Sequence, residues 1–227
     1  MNSLDSRVIG YGDCFAKKFS YAGKVRYLLV AAGVELPVAG DTFTILVKKR
    51  SDLVKKRSDD TSEGRQHILA VGREGAQLIV DRPQLEVEEG DTVLWHGADA
   101  SVPGFAVRGR HGRSEFDSSC LNDEAIYTHA FGVPGEYRWV DAYGSNVSGV
   151  IIVSAPGKTG KKARREWLKE LSKGTLIHIR GEKADPERVD LVTGQTVFWA
   201  VENAPGISIT DTRLLGKGAD ARRPARQ

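Results

Sequence analysis

The sequence predicts an all-β protein that contains two β-sandwiches and one short helix. Short runs rich in β-branched and aromatic residues recur along the 227 residues, and glycine-containing turns separate them. A single segment has the periodicity of an amphipathic helix. Two pairs of distant segments also resemble each other, which is the pattern expected when one structural unit occurs twice.

The predicted strands are short and recur along most of the chain. This rhythm is typical of a sandwich or barrel and does not fit an alternation of strand and helix. The runs are VRYLLV (25–30), FTILV (43–47), AQLIV (76–80), TVLW (92–95), GVIIV (149–153), TLIHI (175–179) and TVFWAV (196–201).

The predicted helix is KKARREWLKELSK, residues 161–173. Trp167, Leu168 and Leu171 fall on one face at helical spacing, and basic residues surround them. This apolar face either packs on the protein's own sandwich or lies at an anionic membrane surface, where tryptophan suits the interface.

Two internal resemblances organise the chain. LEVEEGDTVLWHGADASVPGFAV (85–107) resembles VDLVTGQTVFWAVENAPGISI (189–209), with matching glycine, Thr-Val, tryptophan and Pro-Gly positions. AKKFSYAGKVRYLL (16–29) resembles THAFGVPGEYRWV (128–140), with matching phenylalanine and glycine positions and a strand after the glycine. Each segment therefore represents one half of a structural unit that occurs twice.

The order of these halves predicts the domain organisation. Residues 8–50 form the closing half of sandwich A, residues 67–155 a complete sandwich B, and residues 175–212 the opening half of sandwich A. Because a half sandwich cannot bury its own core, we expect the two halves of A to pack together within one chain. Sandwich A would then be circularly permuted, with sandwich B inserted in it. Pairing of the halves between chains, which gives a domain-swapped oligomer, is the alternative.

Three segments are predicted to lie outside the sandwiches. Residues 156–174 form a linker and the basic helix, and residues 213–227 a disordered basic tail. The heptapeptide LVKKRSD occurs twice in tandem, at 46–52 and 53–59. The second copy is interpreted as a lengthened, solvated linker, with a basic docking segment as the alternative.

Composition excludes several classes of protein. With 33 Lys and Arg against 30 Asp and Glu, the net charge of +3 gives no reason to expect nucleic-acid binding. No apolar run is long enough for a spanning helix, and the N-terminus does not resemble a secretory signal. We therefore expect a cytoplasmic protein in which Cys14 and Cys120 are reduced thiols.

No motif supports catalysis. The patterns GxGxxG, GxxxxGK[ST], GxSxG and HExxH are all missing from the sequence. The acidic pairs of the chain lie in predicted turns or linkers, where solvation explains them better than general acid-base chemistry. The protein is expected not to be an enzyme and to need no cofactor.

Residues 67–155 resemble the cupredoxin family of plastocyanin-like blue-copper domains. The resemblance is carried by VEEGDTVLW, FDSS followed by a leucine, AFGVPGEYRW and the closing strand SGVIIV. It implies a Greek-key β-sandwich for each unit. It also implies a position for a copper site, which in this family consists of two histidines, a cysteine and a weak axial methionine.

The resemblance further implies that the copper ligands have been replaced. Gly104 stands at the position of the first histidine, and Asp141, Gly144 and Val147 stand at those of the cysteine, second histidine and methionine. Gly206 replaces the first histidine of the second unit. Both units are therefore expected to be free of copper.

Interaction is the function that remains. RGRHGR (108–113) presents Arg108, Arg110 and Arg113 in a predicted loop that could grip carboxylates or phosphates. The helix offers a second candidate contact surface, formed by Arg164, Arg165, Trp167, Leu168 and Leu171.

Copper-free cupredoxin-like domains occur as accessory modules of membrane redox complexes. The resemblance therefore implies a scaffold protein that is a peripheral subunit of a respiratory or photosynthetic complex, on the cytoplasmic face of the membrane. One alternative is a copper-handling or electron-transfer protein whose non-standard site combines a cysteine with His96, His111 or His129. A swapped oligomer with a structural role is another.

Overall fold

The structure is a computed structural model that describes residues 3–33, 42–50, 64–156 and 160–216. Within these ranges it is built almost entirely of β-strands and contains one α-helix, so the predicted fold class is confirmed. The second LVKKRSD copy and residues 217–227 of the predicted tail lie outside the described residues. No helix in the described part of the chain is long and apolar enough to span a membrane.

The chain forms two compact units. The first unit is Val8–Ser118, and the second unit combines Met1–Arg7 with Ser119–Gln227. This division differs from the predicted one, in which residues 67–155 form a unit of their own. The boundary instead falls in the middle of that predicted sandwich.

The described residues of the first unit form nine strands in two layers. Its strands are β1 (Asp13–Lys18), β2 (Gly23–Ala31), β3 (Phe43–Lys48), β4 (Gln66–Glu74), β5 (Gln77–Val80), β6 (Gln84–Glu88), β7 (Thr92–Gly97), β8 (Phe105–His111) and β9 (Ser114–Asp117). One layer has the order β5–β4–β7–β1, and the other has the order β6–β3–β2–β8–β9.

The second unit repeats this arrangement. Its elements are β10 (Ala125–Ala130), β11 (Gly135–Val140), β12 (Ser148–Ser154), α1 (Lys161–Leu171), β13 (Thr175–Arg180), β14 (Lys183–Asp185), β15 (Arg188–Val192), β16 (Thr196–Glu202), β17 (Thr210–Asp211) and a 3-10 turn (Thr212–Leu214). The strand orders are β14–β13–β16–β10 in one layer and β15–β12–β11–β17 in the other.

Aromatic side chains fill the space between the layers of each unit. In the first unit, Phe15 stacks on Trp95 at 5.7 Å between ring centroids, and Tyr27 of the other layer meets Trp95 edge-on at 5.4 Å. In the second unit, Trp139 meets Trp199 of the facing layer edge-on at 6.1 Å. All five rings are buried. Inward residues alternate with outward ones along the strands, as a sandwich requires.

Each closing half packs on the opening half that follows it directly in the chain. In the first unit β2 pairs antiparallel with β8 and β3 pairs parallel with β6. In the second unit β11 pairs with β17 and β12 with β15 in the same two senses. The prediction that residues 8–50 close on residues 175–212 is therefore wrong. The sequence similarity between the repeats fits both ways of pairing the halves. The structure has the pairing in which the two halves are joined by the shorter segment of chain.

A short Asp-Ser segment completes each unit at equivalent positions. In the first unit the backbone of Ser118 donates to the carbonyl of Val107 (2.9 Å), and Val107 N–H donates to Ser118 Oγ (2.9 Å). In the second unit Ser6 makes the same two bonds to Ile209, at 2.9 and 2.8 Å. Residues 4–6 (LDS) thus occupy in the second unit the place that residues 116–118 (FDS) occupy in the first.

Candidate functional site

The structure divides the predicted copper-ligand positions differently from the sequence prediction. Asp141, Gly144, Val147 and Gly206 all lie in the second unit, whereas Gly104 lies in the first. The prediction had combined Gly104 with the Asp141–Val147 loop. The reason is the strand pairing: β11 pairs with β17, so the loop after β11 lies beside the chain that leads into β17.

Asp141 organises the loop between β11 and β12. It is 4% exposed, and its carboxylate accepts hydrogen bonds from the backbone N–H groups of Tyr143 (3.0 Å), Ser145 (3.1 Å) and Ser208 (2.9 Å). Ser208 Oγ is a further partner at 3.3 Å. Burial of a carboxylate requires such donors, and here they come from both sides of the loop.

Ser208 extends this network into the sheet. Its hydroxyl oxygen accepts from the backbone N–H of Ala142 (2.8 Å) and lies 3.1 Å from the hydroxyl of Thr210. Tyr143 leaves the loop and donates its phenolic hydroxyl to the carbonyl of Ser119 at 2.8 Å. Hydrogen bonds therefore hold the loop where the family resemblance implies a metal.

Gly206 has no room for a ligand side chain. A Cβ atom at this position would lie 2.7 Å from Cys120 Sγ, and the residue has a φ of +93°, which favours glycine. The thiol of Cys120 therefore occupies the space into which a histidine at residue 206 would extend.

Gly104 lies in an equivalent setting, where the side chains of Val8 and Ala32 and the carbonyl oxygen of Ile9 are nearest. A Cβ atom there would lie 2.4 Å from Val8 Cγ1, and the carbonyl of Gly104 accepts from the backbone N–H of Ala32 at 2.7 Å. Residues 34–41 lie outside the described residues.

These residues do not fit a blue-copper centre. In the second unit three of the four positions carry glycine or valine, and the carboxylate of Asp141 is committed to the backbone. Across residues 3–33, 42–50, 64–156 and 160–216 no cluster of three or more His, Cys, Asp or Glu side chains could hold a metal ion. No step through copper at these positions follows from the structure.

The predicted Gly-Arg loop is largely a strand. Residues 108–111 belong to β8, and a tight turn at residues 112–113 leads into β9. Arg108 pairs with Asp117 at 2.8 Å, and Arg110 pairs with Glu115 across the same hairpin. Gly109 is required by packing, because a Cβ atom there would lie 2.4 Å from the Phe116 ring.

Arg113 is exposed at the turn, whereas Arg108 and Arg110 each pair with a carboxylate of β9.

Two of the three candidate histidines are buried. His111 stacks on Tyr21 with ring centroids 3.9 Å apart and meets Phe19 edge-on. His129 lies against Phe131 at 4.7 Å. Both are almost fully inaccessible to solvent, because their strands turn these side chains into the core. His96 remains half-buried on the outer face of β7.

Helix α1 packs on its own unit through part of its apolar face. Trp167 Nε1 donates to the carbonyl of Thr193 at 3.0 Å, and a Cβ atom on Gly194 would lie 2.8 Å from Leu171. Gln195 Nε2 donates to the carbonyl of Glu170 at 2.8 Å. Trp167 and Leu171 are therefore docked on the β15–β16 turn.

A strip of α1 next to this docked face is exposed and basic. Arg164 and Arg165 are exposed, and Leu168 retains 52% of its accessible surface. No acidic residue lies in the first turn, and Gly160 provides no side-chain cap. Positive charge at the start of a helix opposes the helix dipole, typically by about 0.3–1 kcal/mol per group. Arg164 and Arg165 therefore do not stabilise the helix through its dipole.

A buried carboxylate that sequence reasoning missed clamps the first unit. Asp91 is 1% exposed and accepts from Arg50 Nη2, the backbone N–H of Arg65 and His67 Nε2, each at 2.8 Å. Burial alone raises the pKa of Asp91, but hydrogen bonds from Glu88 N–H, His67 and Arg65 N–H outweigh it and leave the pKa below its usual value.

The alignment of the two repeats could have pointed to Asp91. Gln195 stands at the equivalent position in the second unit, and its side-chain oxygen accepts a hydrogen bond from the backbone N–H of Val192.

Comparison of the chain with protein-family models, with curated proteins and with solved structures finds no match.

Proposed function

We propose that the chain is a non-catalytic, copper-free cupredoxin-like scaffold that docks on an acidic protein surface through the exposed side of α1. The observation that carries this proposal is that some side chains of α1 dock on the protein while others are exposed. Trp167 and Leu171 fix α1 to the protein, while Arg164, Arg165 and Leu168 face outward. An exposed leucine beside two arginines offers an apolar anchor and complementary charge together.

The loop at Asp141 supports the non-catalytic part of the proposal. At the place where the family resemblance implies a reactive metal, the carboxylate of Asp141 accepts hydrogen bonds from backbone N–H groups of the loop and of Ser208. A loop held in this way serves rigidity, which a docking scaffold needs.

The partner proposed is a subunit of a membrane redox complex, respiratory or photosynthetic, at its cytoplasmic face. This step rests on analogy with copper-free cupredoxin-like accessory modules. Because the exposed side of α1 is basic, we expect the partner surface that it contacts to be rich in Asp and Glu. Such contacts weaken as salt increases.

The test is recovery of the full chain from cells that express it naturally. We expect the wild-type protein to sediment with membranes at low salt, to be released at high salt, and to co-purify stoichiometrically with one complex. The variant Arg164→Glu/Arg165→Glu should reduce this recovery by at least about tenfold, because like charges then face each other.

The matched control is Lys24→Glu/Lys183→Glu, which makes the same charge change at two exposed strand residues. It should co-purify as the wild type does. Recovery of the wild type as a free species, or equal recovery of both variants, would contradict the proposed docking surface.

A further inference from the structure

Residues 4–6 lie along the edge of the second unit as a separate piece of chain. Asp5 forms an antiparallel bridge with Thr210 of β17, on the side of β17 that does not pair with β11. In the first unit the same place is taken by β9, which a tight turn joins to β8. No such short connection exists for residues 4–6, since Ser6 and its partner Ile209 are 203 positions apart. The second unit therefore receives residues 4–6 as it would receive a peptide ligand.

Backbone hydrogen bonds fix the direction and register of this segment. Ser6 N–H donates to the carbonyl of Ile209 at 2.9 Å, and Asp211 N–H donates to the carbonyl of Leu4 at 2.8 Å. A peptide that adds as a strand to the edge of a sheet is held in this way. Main-chain bonds then supply affinity, and contacts of the alternate side chains supply specificity.

Each side chain of the segment has an environment of its own. Leu4 is completely buried. Thr210 Oγ1 donates to the carboxylate of Asp5 at 3.4 Å. Ser6 is completely buried, and its Oγ accepts from the backbone N–H of Ile209 at 2.8 Å. The edge therefore suits an extended segment with an apolar residue first, an aspartate second and a short hydroxyl side chain third.

The first unit holds a segment of the same pattern at the equivalent edge. Phe116 is buried there, and Ser118 makes the two hydrogen bonds described for Ser6. Asp117 pairs with Arg108 of β8 at 2.8 Å. Both units thus bury the apolar residue, bind the aspartate by a side chain of the adjacent strand, and use the serine hydroxyl as an acceptor for a backbone N–H.

We infer that the free edge of β17 is a peptide-binding site for an extended apolar–Asp–Ser segment of a partner protein. Residues 4–6 fill this site within the chain as a tethered copy of the ligand. A tethered copy acts at an effective concentration on the order of millimolar, so the partner's segment gains access when residues 4–6 detach. The site uses no residue of α1 and is therefore independent of the docking proposed for that helix.

The test measures whether the site accepts the segment from another molecule. In the full chain, the variant Leu4→Asp/Ser6→Ala puts a charge in place of the buried leucine and removes the serine hydroxyl, so that residues 4–6 detach. A fluorescein-labelled peptide of residues 1–7 is titrated with this variant and followed by fluorescence anisotropy. We expect the variant to bind the peptide at least about tenfold more tightly than the wild type, whose site is filled.

Two controls isolate the site. A peptide that carries the same two substitutions should not bind the variant, because it lacks the apolar residue and the hydroxyl. Ser118→Ala, which removes the equivalent hydroxyl of the first unit, should bind the wild-type peptide no better than the wild-type chain does. Equal binding of the peptide by the Leu4→Asp/Ser6→Ala variant and the wild type, or binding by neither, would overturn the inference.

Hydrogen exchange of the wild-type amides does not depend on how the variant folds. Detachment of residues 4–6 exposes the N–H of Ile209, whereas the turn between β8 and β9 ties Ser118 close to Val107. We expect the Ile209 N–H to exchange at least about tenfold faster than the Val107 N–H. Equal protection of the two groups would show that residues 4–6 do not open separately, which contradicts an exchangeable ligand.

Light scattering distinguishes the segment of a partner protein from that of a second copy of this chain. We expect the wild type to be monomeric at micromolar concentration. A wild-type dimer that the Leu4→Asp/Ser6→Ala variant does not form would assign the site to residues 4–6 of a second copy, and the assignment to a partner protein would then be wrong.

Discussion

Replacing Asp141 with asparagine removes the charge that holds the β11–β12 loop, at almost constant shape. In the wild type, Oδ1 accepts from the backbone N–H groups of Tyr143 and Ser208, and Oδ2 accepts from that of Ser145. An asparagine can keep its oxygen at the Oδ1 position, but its NH2 group then faces the N–H of Ser145. One hydrogen bond is lost, a buried donor is left opposite another donor, and the remaining bonds lose their charge.

The expected cost follows from these contacts. A hydrogen bond to a charged group contributes about 1.5–3 kcal/mol, and Asp141 is too deeply buried for water to replace it. We expect Asp141→Asn to lower the free energy of unfolding by about 2–3 kcal/mol. At this chain length that corresponds to a decrease in Tm of roughly 5–10 °C.

Urea unfolding followed by tryptophan fluorescence measures this change, because Trp139 lies in the strand that leads into the loop. The matched control is Asp190→Asn, which makes the same chemical change at a side chain that is 66% exposed and paired with Arg188. It should change stability by less than about 0.5 kcal/mol. Equal stability of Asp141→Asn and the wild type would refute the view that Asp141 holds the loop.

Three further predictions concern the rest of the molecule. Asp91→Asn should destabilise the protein at pH 7 by about 2–4 kcal/mol. Because the folded pKa of Asp91 is depressed, its contribution is present above the unfolded pKa of about 4 and is lost as pH falls, so urea unfolding at pH 3 should show a smaller difference between variant and wild type. Ser6→Ala and Ser118→Ala should each cost about 1–2 kcal/mol by thermal unfolding, since they leave equivalent backbone donors unpaired; an effect confined to Ser118 would argue against the role of residues 4–6. Gly109→Ala should cost about 1–3 kcal/mol by crowding Phe116, and a neutral effect in the same assay would contradict the packing described.

Local patterns explain what the sequence could predict. The alternation in TVLW and TVFWAV reflects burial of one strand face, and the buried tryptophans confirm it. The spacing of Trp167 and Leu171 likewise predicts the docked face of α1, because helical periodicity is a property of neighbouring residues. Neither inference needs knowledge of distant contacts.

The features that the sequence could not predict depend on contacts between distant parts of the chain. A repeat shows that two closing and two opening halves exist, but either pairing of halves buries the same residues, so chain connectivity decides. Ser208 reaches Asp141 only after that decision. Residues 4–6 match residues 116–118 over too few positions to stand out from chance.

Titration with Cu(II), followed by visible absorption, tests most directly whether the second unit has lost the copper site that the family resemblance implies. The Cys14→Ser variant is used so that Cys120, beside Gly206, is the one remaining thiol. We predict no intense thiolate-to-copper charge-transfer band. An intense band that disappears when Cys120→Ser is added would show a working copper site at these positions and would contradict the account.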